Sequence, residues 1–403
     1  MWFKVVLLLT ILSVSKCNKY CSDQRTLDVL KRSTYDFSVK LLDSVIQDTK
    51  AEDFVFSPLV TWLQLTSLAE GAKKKTLKQI LNVTKHSTLQ CLKKKWKKLI
   101  NEMNTDLKND LQLRNLIVID KLLSVKKSFL KKVEKLQDVD VLLYNFNNIE
   151  KVAEEVNDFV KSETGGTFSG VVEPGYFDST YLVSVGMVNF KASWKSAFQK
   201  DNTEKKDFYS LTGVKIGKVN MMKQTGYFNV TYIPVIKSRV LELPCSIERI
   251  SLLIFIPKER KHLLNFFYSL RRIELKSIFM MYKNTGQQYL NLELPRFKMD
   301  FEYDNIPELI FDLGARKMFT LNAEFKGISD YTIFTSMMTH VASVQVTEEG
   351  IQARSMTTAQ NLLKSNNGSM DFVANKPFVY MLVDRELEII LFAGIFSKPE
   401  MYD

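Results

Sequence analysis

The chain has 403 residues, a formal net charge of +11 at neutral pH and 45% apolar residues. No Pro/Gly/Ser-rich linker or internal repeat interrupts the apolar residues, so we predict one large core in a single domain covering residues 16–403. Four irregularly spaced cysteines and three widely separated histidines, with no HExxH or GxSxG sequence, argue against a disulfide scaffold, a metal site and a Ser-His-Asp hydrolase.

The first 15 residues have the pattern of a secretory signal peptide. Lys4 precedes an apolar run over residues 5–12, and the small residues at 13–15 suit a signal peptidase. We predict cleavage between residues 15 and 17 and a secreted, extracellular mature chain; the alternative is a buried N-terminal helix. No later stretch approaches the ~20 apolar residues that cross a bilayer, so no membrane association is expected.

Helical patterns dominate the first half of the chain. Apolar residues recur at helical spacing over 37–45, and Ser57-Pro58 then opens a second helix, because proline is tolerated in a first turn, where its missing N–H costs nothing. The same spacing returns over 152–160. We expect that helix to end at the glycine pair 165–166.

Strand patterns become frequent from residue 181 onward. Residues 181–190 are mostly apolar, as expected for a strand that is buried on both faces. Further strands are predicted over 252–256, 289–294, 341–346, 378–383 and 389–396. Large sheets with about eight or nine helices, mostly in the first half, indicate a mixed α+β domain.

Three acceptor sequons, at Asn82, Asn229 and Asn367, are candidate glycosylation sites if the chain passes through a secretory pathway. Such tripeptides also arise by chance. The pairing of the cysteines stays open, because cleavage after Cys17 would leave an odd number of them.

Several short sequence blocks resemble those of the serpins, both in their residues and in their order along the chain. Residues 56–58 with 68–72 resemble the serpin second helix and its entry turn, and residues 188–194 resemble the central strand whose tryptophan, Trp194, lies under the entry point of the reactive loop. This entry point is the breach, to which the resemblance assigns Trp194 and His340. Similar blocks lie at 241–244, 294–297, 340–350, 376–378 and 391–394. The match covers roughly residues 35–399 and identifies the chain as a member of the family.

The resemblance implies a fold with three β-sheets and an exposed reactive-centre loop at about residues 350–372, held in a metastable state. A serine protease attacks the loop, forms an acyl-enzyme, and is carried across the molecule as the cut loop inserts into a sheet as a new strand. The attacking serine belongs to the protease, so the chain needs no catalytic residue and no cofactor of its own.

The hinge of this loop follows Glu348 and Glu349 and begins at Gly350. An inserted strand points alternate side chains into the core, and small or hydroxyl side chains are buried there at little steric cost. Counted from Gly350, this inward set is Ile351, Ala353, Ser355, Thr357 and Ala359. Four of the five fit. Ile351 is bulkier than the usual residue, and Arg354, where the family usually carries alanine, is expected to face solvent.

Family register places the scissile bond fourteen residues after the hinge glycine, at Lys364-Ser365. A lysine there suits a trypsin-like protease, whose specificity pocket ends in a carboxylate. The alternative basic bond, Arg354-Ser355, lies inside the hinge, and cleavage there would leave too little strand to insert. A glycan on Asn367 would hinder docking of the protease.

The positive charge is concentrated in lysine-rich stretches, of which residues 93–98 lie in a predicted helix whose apolar positions leave most of the lysines on one side. This helix resembles the one that binds heparin in glycosaminoglycan-activated serpins; the alternative is a solvated lysine face. The candidate heparin-binding residues are Lys93, Lys94, Lys95, Lys97 and Lys98. No nucleic-acid-binding module is recognisable.

Two hypotheses follow for the function. The first is a secreted, monomeric suicide inhibitor of a trypsin-like serine protease. The second is a non-inhibitory serpin-fold binding or carrier protein whose loop does not insert, a hypothesis motivated by Ile351 and Arg354.

Overall fold

The computed structural model describes residues 23–86, 90–136, 139–178, 180–351 and 370–399. Within these ranges the helices are α1 (Asp23–Asp48), α2 (Pro58–Ala69), α3 (Lys74–Thr84), α4 (Gln90–Asp106), α5 (Lys127–Val133), α6 (Ile149–Glu163), α7 (Arg260–Leu264), α8 (Phe266–Leu270), α9 (Leu275–Thr285) and α10 (Ile306–Leu313). The strands are β1 (Phe54–Phe56), β2 (Leu111–Asp120), β3 (Val139–Tyr144), β4 (Leu182–Phe190), β5 (Ala192–Ser193), β6 (Glu204–Tyr209), β7 (Lys215–Ile233), β8 (Ser238–Pro244), β9 (Ile250–Pro257), β10 (Gln287–Pro295), β11 (Phe297–Tyr303), β12 (Met337–Val346), β13 (Gly350–Ile351), β14 (Met370–Val373), β15 (Phe378–Asp384) and β16 (Ile389–Phe396). The mixed α+β prediction and the predicted strands are confirmed.

These strands form two hydrogen-bonded sheets. One has the order β1-β16-β15-β9-β8-β7-β10-β14, with β6 also on β7, and the other has the order β3-β2-β4-β12-β13-β5, with β11 on β12. The 19-residue strand β7 pairs with β6 and β10 along most of its length and with β8 at its end. This long strand joins two of the three expected sheets into one continuous ladder.

The predicted helix boundaries are set by local chemistry. Ser57 caps α2 by accepting a hydrogen bond from the backbone N–H of Val60 at 3.4 Å, and Pro58 occupies the first turn. After α6 the chain turns through Gly165 and Gly166, which both have positive φ, a conformation that glycine adopts without steric cost.

The seven-stranded sheet lies between two hydrophobic clusters, and this arrangement positions the candidate site. Strand β4 is buried at all nine positions, as predicted. On one face, Val183, Val185 and Val341 pack with apolar residues of α6. On the other face, Val188 and Ala342 belong to the main core. None of the helices in the described ranges is both long and apolar enough to span a membrane.

Candidate functional site

The chain that leaves β12 folds back into the same sheet. After a turn at residues 347–349, Ile351 lies antiparallel to both flanking strands, opposite Val346 of β12 and Ala192 of β5. Its side chain is 1% exposed. The first residue of the predicted inward set is therefore already part of the sheet in the uncut chain.

The position of Gly350 accepts only glycine, because its backbone is pressed against β5. A Cβ atom built at this residue would lie 2.1 Å from the carbonyl oxygen of Ala192 and 2.6 Å from the Cα of Ser193. Both contacts are with backbone atoms, which cannot rotate away. Any side chain here would push the hinge out of the sheet.

Trp194 lies directly against this turn and holds it with two hydrogen bonds. Its backbone N–H donates to the carbonyl of Glu349 at 2.9 Å, and its indole Nε1–H donates to the carbonyl of Thr347 at 2.8 Å. The backbone N–H of Phe198 donates to the carbonyl of Glu348 at 2.8 Å. The backbone carbonyls of residues 347–349, which follow the end of β12, thus each accept a hydrogen bond.

Glu348 anchors the turn through its buried side chain, which is 2% exposed. Its Oε1 accepts from Thr203 Oγ1 at 2.6 Å and from Arg296 Nη2 at 2.7 Å. Burial alone would raise the pKa of Glu348, but the hydrogen bonds from Arg296 and Thr203 hold that pKa below its usual value. The carboxylate therefore stays ionised and paired.

Sequence reasoning did not identify Thr203, Arg296 or Lys200 as site residues. Lys200 pairs with Glu349 at 2.6 Å, but its side chain is 67% exposed, so this ion pair contributes little. Thr203 and Arg296 are 145 and 52 residues from Glu348 in the chain. No local pattern marks partners at such separations.

Below the hinge, β4 and β12 are paired directly, with no strand between them. Seven parallel register pairs run from Met337↔Val183 to Ser343↔Asn189. A new strand at this position would have to separate all seven pairs.

His340 lies in the middle of this seam and not beside Trp194, although the resemblance assigns both to the breach. His340 pairs in register with Gly186, which precedes Trp194 by eight residues, or roughly 26 Å along an extended strand. The structure therefore separates the two residues. His340 stacks on Phe56 with ring centroids 4.3 Å apart.

The imidazole of His340 is fully buried, and only one of its two ring nitrogens has a hydrogen-bond partner among the described residues. Its Nε2 accepts from the backbone N–H of Ser57 at 3.0 Å, so the proton of the neutral ring lies on Nδ1, which has no partner among the described residues. Burial lowers the pKa of His340 to about 3. Opposite it, a Cβ on Gly186 would lie 2.4 Å from Val60 Cγ1, so this strand position has no room for a side chain.

The lysines of α4 are divided between two environments. Lys93 and Lys97 lie 3.9 Å and 3.4 Å from Glu70, the residue that follows α2, and all three side chains are at most 27% exposed. Lys94 and Lys98 are exposed, and Lys98 lies 3.5 Å from Glu102. The helix is held by buried Trp96, whose ring centroid is 4.3 Å from that of Trp62.

Several predicted residues lie outside the described ranges. They are the signal peptide, the bond Lys364-Ser365, Asn367, Arg354 and the inward positions Ala353, Ser355, Thr357 and Ala359.

Of the described sequons, Asn82 is exposed on α3, whereas the Nδ2 of Asn229 donates to the buried carboxylate of Glu242 at 2.7 Å. Cys245 is buried and forms no disulfide.

An open pocket of about 410 Å³ lies between α9 and the turn that joins β15 to β16. Its wall combines three cations with one carboxylate, two aromatic rings and polar and apolar side chains, from Lys276, Lys283, Arg385, Glu388, Phe279, Tyr282, Asn229 and Met280. The guanidinium of Arg385 lies 5.2 Å from the ring centroid of Phe279. Tyr282 is 3% exposed, and its hydroxyl has no hydrogen-bond partner within the described part of the chain.

Comparison with known proteins gives consistent matches over almost the whole chain. The family model described as Serpin (serine protease inhibitor) matches residues 32–399. Serpin B11 of Mus musculus is 28% identical, over 93% of this chain and 100% of the relative.

Two solved structures share the fold. The structure of native protease nexin-1 with heparin has a TM-score of 0.80 and 24% identity, covering 93% of this chain and 99% of that one. Human thyroxine-binding globulin, complexed with thyroxine, has a TM-score of 0.80 and 22% identity over the same shares of the two chains.

Proposed function

Because this chain belongs to the serpin family, whose members are generally protease inhibitors and not enzymes, we propose that it is a secreted, monomeric suicide inhibitor of a trypsin-like serine protease. The protease cleaves Lys364-Ser365. Its catalytic serine attacks the carbonyl carbon of Lys364 and forms an ester, while the new amino group of Ser365 leaves. Secretion is supported by the signal-peptide pattern of residues 1–15.

One observation carries this proposal: β13 is antiparallel to both β12 and β5. An inserted strand must have this polarity on both sides, so the residues after Ile351 can extend an existing ladder. Once Lys364 is freed from Ser365, extension separates β4 from β12 and draws the attached protease along the sheet.

The position of Ile351 removes one expected obstacle to inhibition. The sequence predicts an overpacking cost of ~1–3 kcal/mol as this bulky residue enters the sheet. Since Ile351 is 1% exposed before cleavage, its burial is not a step that competes with ester hydrolysis.

The register of β13 also assigns neighbours to Arg354. It would arrive between Ser343 and Asn189, and Ser343 Oγ donates to Asp300 Oδ1 at 2.5 Å. The Asp300 side chain is 45% exposed, so the arginine would meet a carboxylate close to solvent. Deeper in the sheet, α6 covers the opposite face at Val341 and Val185. The solvent exposure that the sequence predicts for Arg354 therefore applies only to outward-pointing positions near the hinge.

Incubation with trypsin followed by a denaturing gel tests this function. We expect an SDS-resistant adduct from the wild-type chain and none from Lys364→Ala. Cleavage at Lys364 with full retention of protease activity would contradict inhibition and favour the carrier function below.

We further propose that a heparin-like glycosaminoglycan binds the surface around α4. Residues 73–136 contain 18 Lys and Arg and only five Asp and Glu, so this segment carries the net charge of the chain. On α4, the side chains of Lys94 and Lys98 are exposed and can contact such a ligand. The heparin complex of protease nexin-1, a protein of the same fold, supports this proposal.

The pocket beside α9 favours a second candidate function, the binding of a small amphipathic anion. Its three cations outnumber the single carboxylate, Glu388, and so suit an anionic group, and Phe279 suits an apolar ring. The structural likeness to thyroxine-binding globulin supports a carrier role as the alternative. Saturable binding of anilinonaphthalene sulfonate that is lost in Lys276→Ala/Lys283→Ala would support it, and binding unchanged by these substitutions would contradict it.

A further inference from the structure

A tyrosine pair, with Tyr227 exposed and Tyr289 half-buried, lies on the outer face of the sheet at β7 and β10. Tyr227 and Tyr289 are opposite each other in register, with ring centroids 5.1 Å apart and an interplanar angle of 61°. Tyr227 is 53% exposed, although its strand neighbours Gly226 and Phe228 are buried. The pair therefore adds aromatic surface that the core of the protein does not use.

Beside this pair, a chain of hydrogen-bonded polar side chains runs from β7 across β10 to β14. Thr225 Oγ1 donates to Asn291 Oδ1 at 3.2 Å, and Asn291 Nδ2 donates to Asp371 Oδ1 at 3.0 Å. Thr225 and Asn291 share a face with the tyrosines because strand side chains alternate. The set is here named the tyrosine face: Thr225, Tyr227, Tyr289, Asn291 and Asp371.

This composition is typical of a protein interface. Tyrosine provides a large contact area with few rotatable bonds, and interfaces are enriched in it. The neighbouring polar groups can form hydrogen bonds around an aromatic centre, as they do at the rim of an interface. The tyrosine face thus has an aromatic centre and a polar border.

The distance from the scissile bond determines which partner reaches this face. Only residues 365–369 separate Lys364 from Met370, the first residue of β14, so at most ~20 Å of chain separates them. A trypsin-like domain of about 230 residues has a radius of gyration of ~17 Å. A protease bound at Lys364 therefore extends over the beginning of β14, where Asp371 ends the polar chain.

We propose that the tyrosine face is a docking surface for the body of the protease that is bound at Lys364, and that it selects among trypsin-like proteases. This inference rests on the proposed inhibitory function. Every trypsin-like specificity pocket accepts a lysine, so the cleaved residue discriminates little between such proteases. A second contact outside the pocket supplies the selectivity that Lys364 lacks.

The test measures the second-order rate of adduct formation with a panel of purified trypsin-like proteases. The double variant Tyr227→Ser/Tyr289→Ser is compared with wild type and with Tyr331→Ser, which alters a 58% exposed tyrosine in the segment before β12. For the protease that wild type traps fastest, we expect a tenfold or greater loss of rate in the double variant and less than twofold in the control. Thermal unfolding of each variant checks that the fold is retained.

The outcomes distinguish a failure of the docking surface from a failure of the proposed inhibitory function. If wild type traps proteases and Lys364→Ala does not, inhibition stands; double-variant rates within twofold of wild type on every trapped protease would then overturn the docking surface alone. If wild type traps none of the panel, both the function and the docking surface are overturned.

Discussion

Substitution of Thr357 by arginine tests the register that β13 predicts for the inserted strand. Ile351 pairs with Val346 and Ala192, and an antiparallel strand advances one residue for each residue by which its neighbours recede. Thr357 would therefore arrive between His340 and Gly186, which are now partners of each other across the seam.

The environment of that position determines the size of the effect. The Nδ1–H of His340 is a buried donor without an acceptor among the described residues, and a threonine hydroxyl can accept from it, whereas a guanidinium has only donors. Arginine would also place an unpaired charge in the core, at a cost of several kcal/mol. If about 3 kcal/mol of this cost appears in the barrier to insertion, insertion slows by roughly 150-fold.

The assay is the stoichiometry of protease inhibition, with the adduct and the cleaved chain quantified on a denaturing gel. We expect Thr357→Arg to convert the inhibitor into a substrate. The matched control is Gln352→Arg, which would lie between half-buried Gln345 and exposed Lys191 and should remain inhibitory. Inhibition by Thr357→Arg at near wild-type stoichiometry, with Gln352→Arg impaired, would refute this register.

Glu348→Ala leaves the guanidinium of Arg296 without its carboxylate, so we expect the free energy of unfolding of the uncut protein in urea to fall by about 2–3 kcal/mol. An unchanged urea midpoint would contradict the anchoring role of Glu348. The pKa of His340 is about 3 in the folded chain, against an ordinary histidine value of 6.5. Below pH 6.5 the unfolded chain therefore binds more protons than the folded chain, and the free energy of unfolding falls as the pH drops from 6.5 towards 3. At pH 5 this loss is about 2 kcal/mol. His340→Gln should therefore reduce, by that amount, the difference between the free energies of unfolding at pH 7 and at pH 5, as obtained from thermal unfolding. Lys94→Ala/Lys98→Ala should elute from heparin resin at lower salt, with a smaller change on a sulfonate cation exchanger; equal changes on both resins would indicate general charge only.

The elements of the fold were readable from local sequence because their causes are local. The apolar residues of 181–190 predict a strand with both faces covered, and β4 is buried at every position. The Ser57-Pro58 pair predicts the start of α2, since capping depends on residues within one turn. The family resemblance added the hinge and the count to Lys364.

The state of the hinge was decided by tertiary structure, because its contacts join distant parts of the chain. Spacing alone could not show that Ile351 is already buried between β12 and β5, or that Glu348 finds Arg296 across the fold. The same holds for His340, which the blocks of sequence placed at the breach and the strand register places opposite Gly186. Sequence determines what each segment can form, whereas the pairing of strands determines which side chains meet, since a buried polar group is stabilised only by the partner that packing brings to it.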